Sequence, residues 1–291
     1  MSKKHFFNIV VLLVFIVSTT ACSGLNLGLH GGDTLTRAKE EGVVTIGFAN
    51  EKPYAYKDDN GKVTGEAVEV ARSVFKKMGI NKIEPVLVDF GSLIPGLKSG
   101  RFDVITAGMY ITPTRCKEVV FADPEYKIGE AIAVKKGNPK NLHSYEDIAA
   151  NPQVRVAVMK GAVEVSYLKK SGVKENQIII VPDQPSAISA LESGRVDTVT
   201  MTGPSLRAMM ESTGAKDIVE VNDFKQPIVD GKSVLGYGAA AFRKEDKKFR
   251  DAFSRELAEM KKSDALLNVL KPFGFTEVNL PDKKADELCK P

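Results

Sequence analysis

Arg115 ends the polar stretch Thr112-Pro113-Thr114-Arg115, which follows an apolar run. A guanidinium at that place offers a planar fork of donors that grips a carboxylate bidentately; its ordinary alternative is a surface ion pair. Two carboxylates stand where they could meet the opposite charge. Glu51 follows the apolar run 43–49, and Glu164 opens a stretch with helical character. A helix dipole alone would stabilise an acid at the second place by about 0.3–1 kcal/mol. Tyr54, Phe90 and Tyr110 supply aromatic faces. Each can fill a core or carry a cation, a contact worth roughly 0.5–2 kcal/mol once desolvated.

The same inventory excludes other chemistries. The three His lie apart from one another and from any Cys at zinc-ligand spacing, so no metal site is expected. No acid–base pair stands out as catalytic, and no segment calls for a cofactor. Net charge is +4 with both signs interspersed, which does not build the basic face of a nucleic-acid binder.

The elements that must position these residues read as alternating strands and helices. Val43 to Ala49 is a buried-type strand, and the Asn60-Gly61 step marks a turn. Val68, Ala71, Phe75 and Met78 follow helical spacing up to Gly79, placed as a stop. Such alternation argues for α/β layers, sheets covered by helices. Leu97-Lys98-Ser99-Gly100-Arg101-Phe102-Asp103-Val104-Ile105-Thr106 recurs as Leu191-Glu192-Ser193-Gly194-Arg195-Val196-Asp197-Thr198-Val199-Thr200. Each copy ends a helix with a glycine cap and enters an apolar strand. Two similar lobes explain the recurrence.

Residues 130–137 and 238–244 also look paired, as small-residue apolar strands ending in basic residues. They are expected to form two crossing hinge connections. Lobe 1 would then comprise residues 35–134 and 237–291, with lobe 2, residues 135–236, inserted between. Phe249, Phe253, Leu257 and Met260 fall at helical spacing and should return to cover lobe 1.

The N-terminus reads as an export signal over residues 1–21. Lys3 and Lys4 precede an apolar run from Phe6 to Val17, then small residues and Cys22. The run is shorter than the ~20 residues a transmembrane helix needs. Small residues followed directly by Cys resemble a bacterial lipobox, so Cys22 is the expected lipidation site; the alternative is a secreted protein with an incidental cysteine. Residues 22–34 read as a Gly-rich tether. With Cys22 lipidated, Cys116 and Cys289 remain as a pair outside the cytoplasm, where disulfides persist. They form either a bridge from the C-terminal tail to lobe 1 or two free thiols. The expected location is exported, lipid-anchored at the outer face of the cell membrane or in the periplasm, as a monomer.

From about Leu35 onward the chain resembles bacterial family 3 extracellular solute-binding proteins of ATP-driven (ABC) importers. The likeness rests on 46–53, Phe90-Gly91-Ser92-Leu93-Ile94-Pro95-Gly96-Leu97, the run from Phe102 to Arg115, Val156-Ala157-Val158 leading to Gly161, and Gly236-Tyr237-Gly238 leading to Phe242-Arg243. It implies a two-lobed, hinge-closing binding fold (the type II periplasmic-binding-protein architecture) without catalysis, with importer permease subunits as partners. Within the family the chain is most similar to ectoine/hydroxyectoine-binding proteins, through Ala49-Asn50-Glu51, Phe90 to Leu97, Arg115-Cys116 and the late Cys289.

The resemblance implies a ligand set of Glu51, Tyr54, Phe90, Gly108, Tyr110, Arg115, Val163, Glu164 and Thr202. Arg115 would hold the ligand carboxylate, the three rings would box a delocalised cation, and the acids would accept from its N–H groups. Amino-acid binders of the family place an Asp shortly after the second Gly-Arg-x-Asp strand, opposite the α-ammonium; here that position is Thr202. A buried primary ammonium would lack compensation there, whereas a cyclic amidinium such as ectoine spreads its charge. Ectoine binders carry Thr where Val163 stands. A small zwitterionic compatible solute is therefore the expected ligand. A polar amino acid, a dehydratase activity on this fold and a sensory role are the competing readings.

Overall fold

The computed structural model describes residues 33–290 apart from position 230; Cys22 and the export segment lie outside the described residues. Val43–Phe48 is a strand, and Glu66–Lys77 a helix that buries Val68, Ala71 and Phe75 as the spacing requires. The helix ends before Gly79, whose φ of 84° reverses the chain.

Two five-stranded sheets form the two lobes. The first runs Lys82–Leu87, Val43–Phe48, Val104–Ile105, Ala241–Phe242, Val120–Phe121. The second runs Ile178–Val181, Val156–Met159, Thr198–Thr202, Glu130–Lys135, Ile218–Glu220. In each, the leading strands are parallel and the fourth is antiparallel to both neighbours.

The sequence repeat supplies the central strand of each sheet, and its Asp does the same work twice. Asp103 Oδ2 accepts the backbone N–H of Thr45 at 3.0 Å. Asp197 Oδ2 accepts that of Arg155 at 2.8 Å. Each carboxylate thus satisfies an N–H at the start of the neighbouring parallel strand, where the ladder provides no partner.

The crossing lies earlier than the expected boundary at residue 134. Glu130–Lys135 pairs over its length with Thr198–Thr202, so it belongs to the second sheet. The ribbon joining the lobes is Tyr126–Ile128 against Gly236–Gly238. The similarity of 130–137 and 238–244 has a different cause from mutual pairing. Glu130–Lys135 and Ala241–Phe242 are the antiparallel fourth strands of the two sheets, equivalent positions that face the same packing demand.

Helix Lys247–Lys261 covers the first sheet, with Phe249 and Phe253 packed on Phe75 and Phe242 at ring separations of 5.2–5.9 Å. A disulfide joins Cys116 to Cys289, 173 residues apart, and ties the C-terminal segment to the first lobe. It follows Arg115 directly.

Below the ribbon, the side chains of Glu66 and Glu125 are 0% and 1% exposed and their carboxyls face each other. Two such acceptors can bond only through a proton. Burial, then the neighbouring charge, pushes Glu66 well above the usual carboxylate range. Burial pushes Glu125 up to about 8, partly offset by its contact with Glu66 and by Lys261. Their backbones reach both working parts of the molecule: Glu66 N–H donates to Pro53 and Glu125 N–H to Gly238.

Two measurements follow from this frame. The folded pair holds a proton that unfolded carboxyls release near pH ~4, so its contribution is complete below that pH and is lost as pH rises through about 8. Thermal melting should therefore fall between about pH 4 and 8, and Glu125→Gln should reduce that slope; an unchanged slope would remove the proton from the pair. Separately, Cys289→Ser should cost about 2–5 kcal/mol in denaturant unfolding, because the bridge closes a long loop in the unfolded chain. A change near zero would assign the bridge no role in stability.

Candidate functional site

A narrow cavity of about 40 Å³ lies between the lobes, lined by Glu51, Tyr54, Phe90, Gly108, Tyr110, Arg115, Val163, Glu164 and Thr202 together with Met159, Ala162 and Gln184. Every site residue expected from the sequence is on that wall. The lobes are closed on each other. The hydroxyls of Tyr54 and Thr202 bond across the cleft at 2.6 Å. Arg115 donates to the Gly161 carbonyl at 3.0 Å, and Ser205 to the Lys52 carbonyl at 2.9 Å. A side chain at Gly161 would put its Cβ 2.7 Å from Gly91 Cα, so the lobes approach this closely there because Gly161 has none.

Arg115 sits in the short helix Pro113–Cys116, capped by the Thr112 hydroxyl, which accepts the Arg115 N–H at 3.2 Å. Its guanidinium also donates to the Tyr110 carbonyl at 2.9 Å and lies 5.4 Å from the Phe90 ring centroid. Phe90 thus belongs to the hydrophobic cluster of the first lobe and also lies on the cavity wall, with its ring against the Arg115 guanidinium.

Tyr54 and Tyr110 both rest on Tyr126. Tyr54 stacks on it at 5.4 Å with planes 17° apart, and Tyr110 meets it edge-on at 6.5 Å. The Tyr126 hydroxyl donates to the Gly108 carbonyl at 2.8 Å. Gly108 has φ 63°, and a Cβ there would stand 2.4 Å from the Tyr54 ring. Gly108 thus contributes space and backbone direction.

The electrostatics are one-sided. Glu51 is 7% exposed and Glu164 4%, against the single guanidinium of Arg115. Burial first, then the Glu164 charge, pushes Glu51 up to about 8, with Arg115 opposing. Burial likewise raises Glu164, opposed by its own helix N-terminus, by Glu130 and by Arg115. Among the described residues, Glu51 Oε1 and Gln184 Oε1 are buried without a hydrogen-bond partner. Acceptors thus outnumber donors, and the complement of this wall is a donor-rich cationic group attached to an anion that Arg115 can hold.

Sequence reading missed Gln184, Met159 and, behind the wall, Tyr126 and Glu130. Gln184 follows Asp183, whose carboxylate caps its helix through the Ser186 N–H at 2.8 Å. That capping signature is legible but says nothing about the cleft. Val163 lines the cavity as an apolar contact and caps no helix end with its side chain. Among the described residues no helix is long and apolar enough to cross a membrane.

The model of bacterial extracellular solute-binding proteins, family 3, matches residues 44–275. A probable amino-acid ABC transporter periplasmic-binding protein, y4tE of Sinorhizobium fredii, is 38% identical, covering 94% of this chain and 92% of that protein. The arginine-binding extracellular protein ArtP of Bacillus subtilis is 29% identical over 94% of this chain and 98% of its own length. Among solved structures, EhuB in complex with hydroxyectoine matches with a TM-score of 0.80 and 34% identity, covering 88% of this chain and 98% of that one. An ancestral arginine-binding protein bound to arginine follows at 0.69 and 32%, covering 80% and 99%. The chain belongs to the family 3 bacterial extracellular solute-binding proteins, two-lobed α/β proteins that capture solutes for ABC importers.

Proposed function

We propose that the solute is ectoine, hydroxyectoine or a closely similar cyclic zwitterion, held as the lobes close. The observation that carries this reading is the composition of one wall: the rings of Tyr54, Phe90 and Tyr110, the guanidinium of Arg115 and the buried acids Glu51 and Glu164. Arg115 takes the carboxylate; the rings face a delocalised cation; the acids accept its N–H groups. Thr202, where amino-acid binders carry an acid, spends its hydroxyl on Tyr54, so no point counter-ion stands at that position for a primary ammonium. The likeness to EhuB supports the same ligand class.

Closure follows differential affinity. Arg115 and the rings dock the solute on the first lobe, Glu164 and Val163 complete the contact from the second, and only a ligand touching both favours the closed state. Burial raises both Glu51 and Glu164, so a cationic group on the solute would offset the cost of ionising them in the closed cleft. The membrane permease then reads the closed form. We further propose attachment through a lipid on Cys22 and a monomeric working state. An unmodified mature N-terminus by mass spectrometry would exclude the first; a dimer by sedimentation would exclude the second.

A second reading, a basic amino acid such as arginine, is favoured by the arginine-binding relatives and by the excess of cleft acids. Calorimetric titration with ectoine, hydroxyectoine, glycine betaine, proline, arginine and glutamine decides between them. Tight binding of the ectoines alone is expected; binding of arginine alone would replace the solute assignment. For the solute that binds, Arg115→Ala should lose about 2–5 kcal/mol, roughly 30- to 4,000-fold in Kd. Undiminished affinity would overturn the assigned orientation.

A further inference from the structure

Glu130 does not line the cavity, yet the site is built on it. It is 3% exposed, and neither carboxyl oxygen receives a hydrogen bond of good geometry among the described residues. As an anion it would be a buried, uncompensated charge, which proteins avoid by neutralising the group.

Its surroundings hold it firmly in that position. The Gln226 amide bonds both sides of its backbone, donating to the Glu130 carbonyl at 2.8 Å and accepting its N–H at 2.7 Å. Gln226 thereby replaces a strand neighbour where Ile218–Glu220 has ended. A Cβ at Gly129 would stand 2.8 Å from the Gln226 amide carbon, so the clamp requires glycine at that position. Glu130 is the register partner of Thr202, and directly opposed residues share one face of the sheet. Its side chain consequently lies on the cleft side, facing the Glu164 carboxyl and the Tyr110 hydroxyl.

We propose that Glu130 is a positioning residue that works as a neutral carboxylic acid, donating its proton to Glu164 and holding Glu164 as the carboxylate that meets the solute's cationic group. This rests on the reading of Glu164 as a solute contact. Two carboxyls in contact need a proton between them, and the member with neither Arg115 nor a helix N-terminus to hold its charge keeps it. Burial, then the Glu164 charge, raises Glu130 well above the usual range against the opposing Tyr110 hydroxyl, while Arg115 opposes the rise at Glu164. The other titratable groups in this field are Tyr54, Tyr145 and Tyr167, all raised by burial, and Glu51. The tyrosines stay neutral at physiological pH, and Glu51 is common to every variant below.

Two measurements on the full mature chain test this. Infrared spectroscopy of wild type against Glu130→Gln at neutral pH should show the carbonyl stretch of a protonated carboxylic acid that the variant lacks. No such difference would overturn the proposal, whatever the solute proves to be. Calorimetry with hydroxyectoine, and with arginine as the second probe, should be run in buffers of different ionisation enthalpy. Closure around Glu130 should take up as much as one proton in wild type and less in Glu130→Gln. Wild-type affinity should weaken as pH rises above neutral, and the variant should show a flatter profile, because a group raised in the closed state contributes below its raised pKa and not above it.

Glu130→Leu, which removes the donor, should lose about tenfold in affinity, and Glu130→Gln, which keeps an N–H for Glu164, should recover most of it. A loss in Glu130→Gln as large as in Glu130→Leu would make Glu130 a charged contact and overturn the proposal; so would equal proton counts. Glu164→Gln is the control on the underlying reading. If it binds both probes like wild type, the solute role of Glu164 fails, while the infrared difference still decides the protonation of Glu130.

Discussion

Tyrosine packed against glycine at the hinge is the constraint on which the cleft depends. Tyr126 is fully buried in the ribbon that joins the lobes, and its ring carries Tyr54 and Tyr110. The rings sit where side chains would otherwise be. A Cβ at Gly236 would fall 1.8 Å from the Tyr110 ring, and one at Gly238 2.2 Å from that of Tyr126. The site aromatics are thereby fixed to the element about which the lobes must move. Ring orientation in the cleft and hinge geometry cannot vary independently, because a close-packed interior transmits any shift.

Charge supplies the second constraint. Glu51, Glu130 and Glu164 are buried around Arg115, and Glu66 and Glu125 are buried beneath the ribbon. Closing the lobes removes water from the cleft acids. The cost is met by protons and by Arg115 and, for the solute proposed above, by its own cationic group. The guanidinium already has two carbonyl acceptors, so a carboxylate must compete with Gly161 for it and alter the contact between lobes.

The repeated Gly-Arg-x-Asp segment gives the two lobes one internal logic. In both, a glycine of positive φ reverses the chain after a helix, at φ 73° for Gly100 and 71° for Gly194. In both, the Asp secures the neighbouring strand. Beyond that point the lobes diverge. Asp103 also pairs with Arg37 at 2.6 Å and lies near Arg243, so the first lobe is stapled to its N-terminal and C-terminal helices.

Local chemistry was legible in the residues alone. Strand and helix periodicity, the glycine stops and the recurring central strand were recoverable, because each depends on a residue's own type or on a motif a few residues long; the residues from Glu51 to Thr202 came from the family resemblance, and the cysteines left a bridge and two free thiols both open until the fold joined Cys116 to Cys289. What depends on contacts between distant segments was not. The small-residue strands 130–137 and 238–244 look like partners, yet similarity of composition records equivalent packing and not pairing; the ribbon is set by Tyr126 meeting Gly238. Gln184 reads as an ordinary helix opening and Glu130 as the first residue of a strand. Their burial in the cleft wall follows from how the second lobe folds against the first, and a side chain's pKa and unsatisfied hydrogen bonds exist only once that burial has occurred.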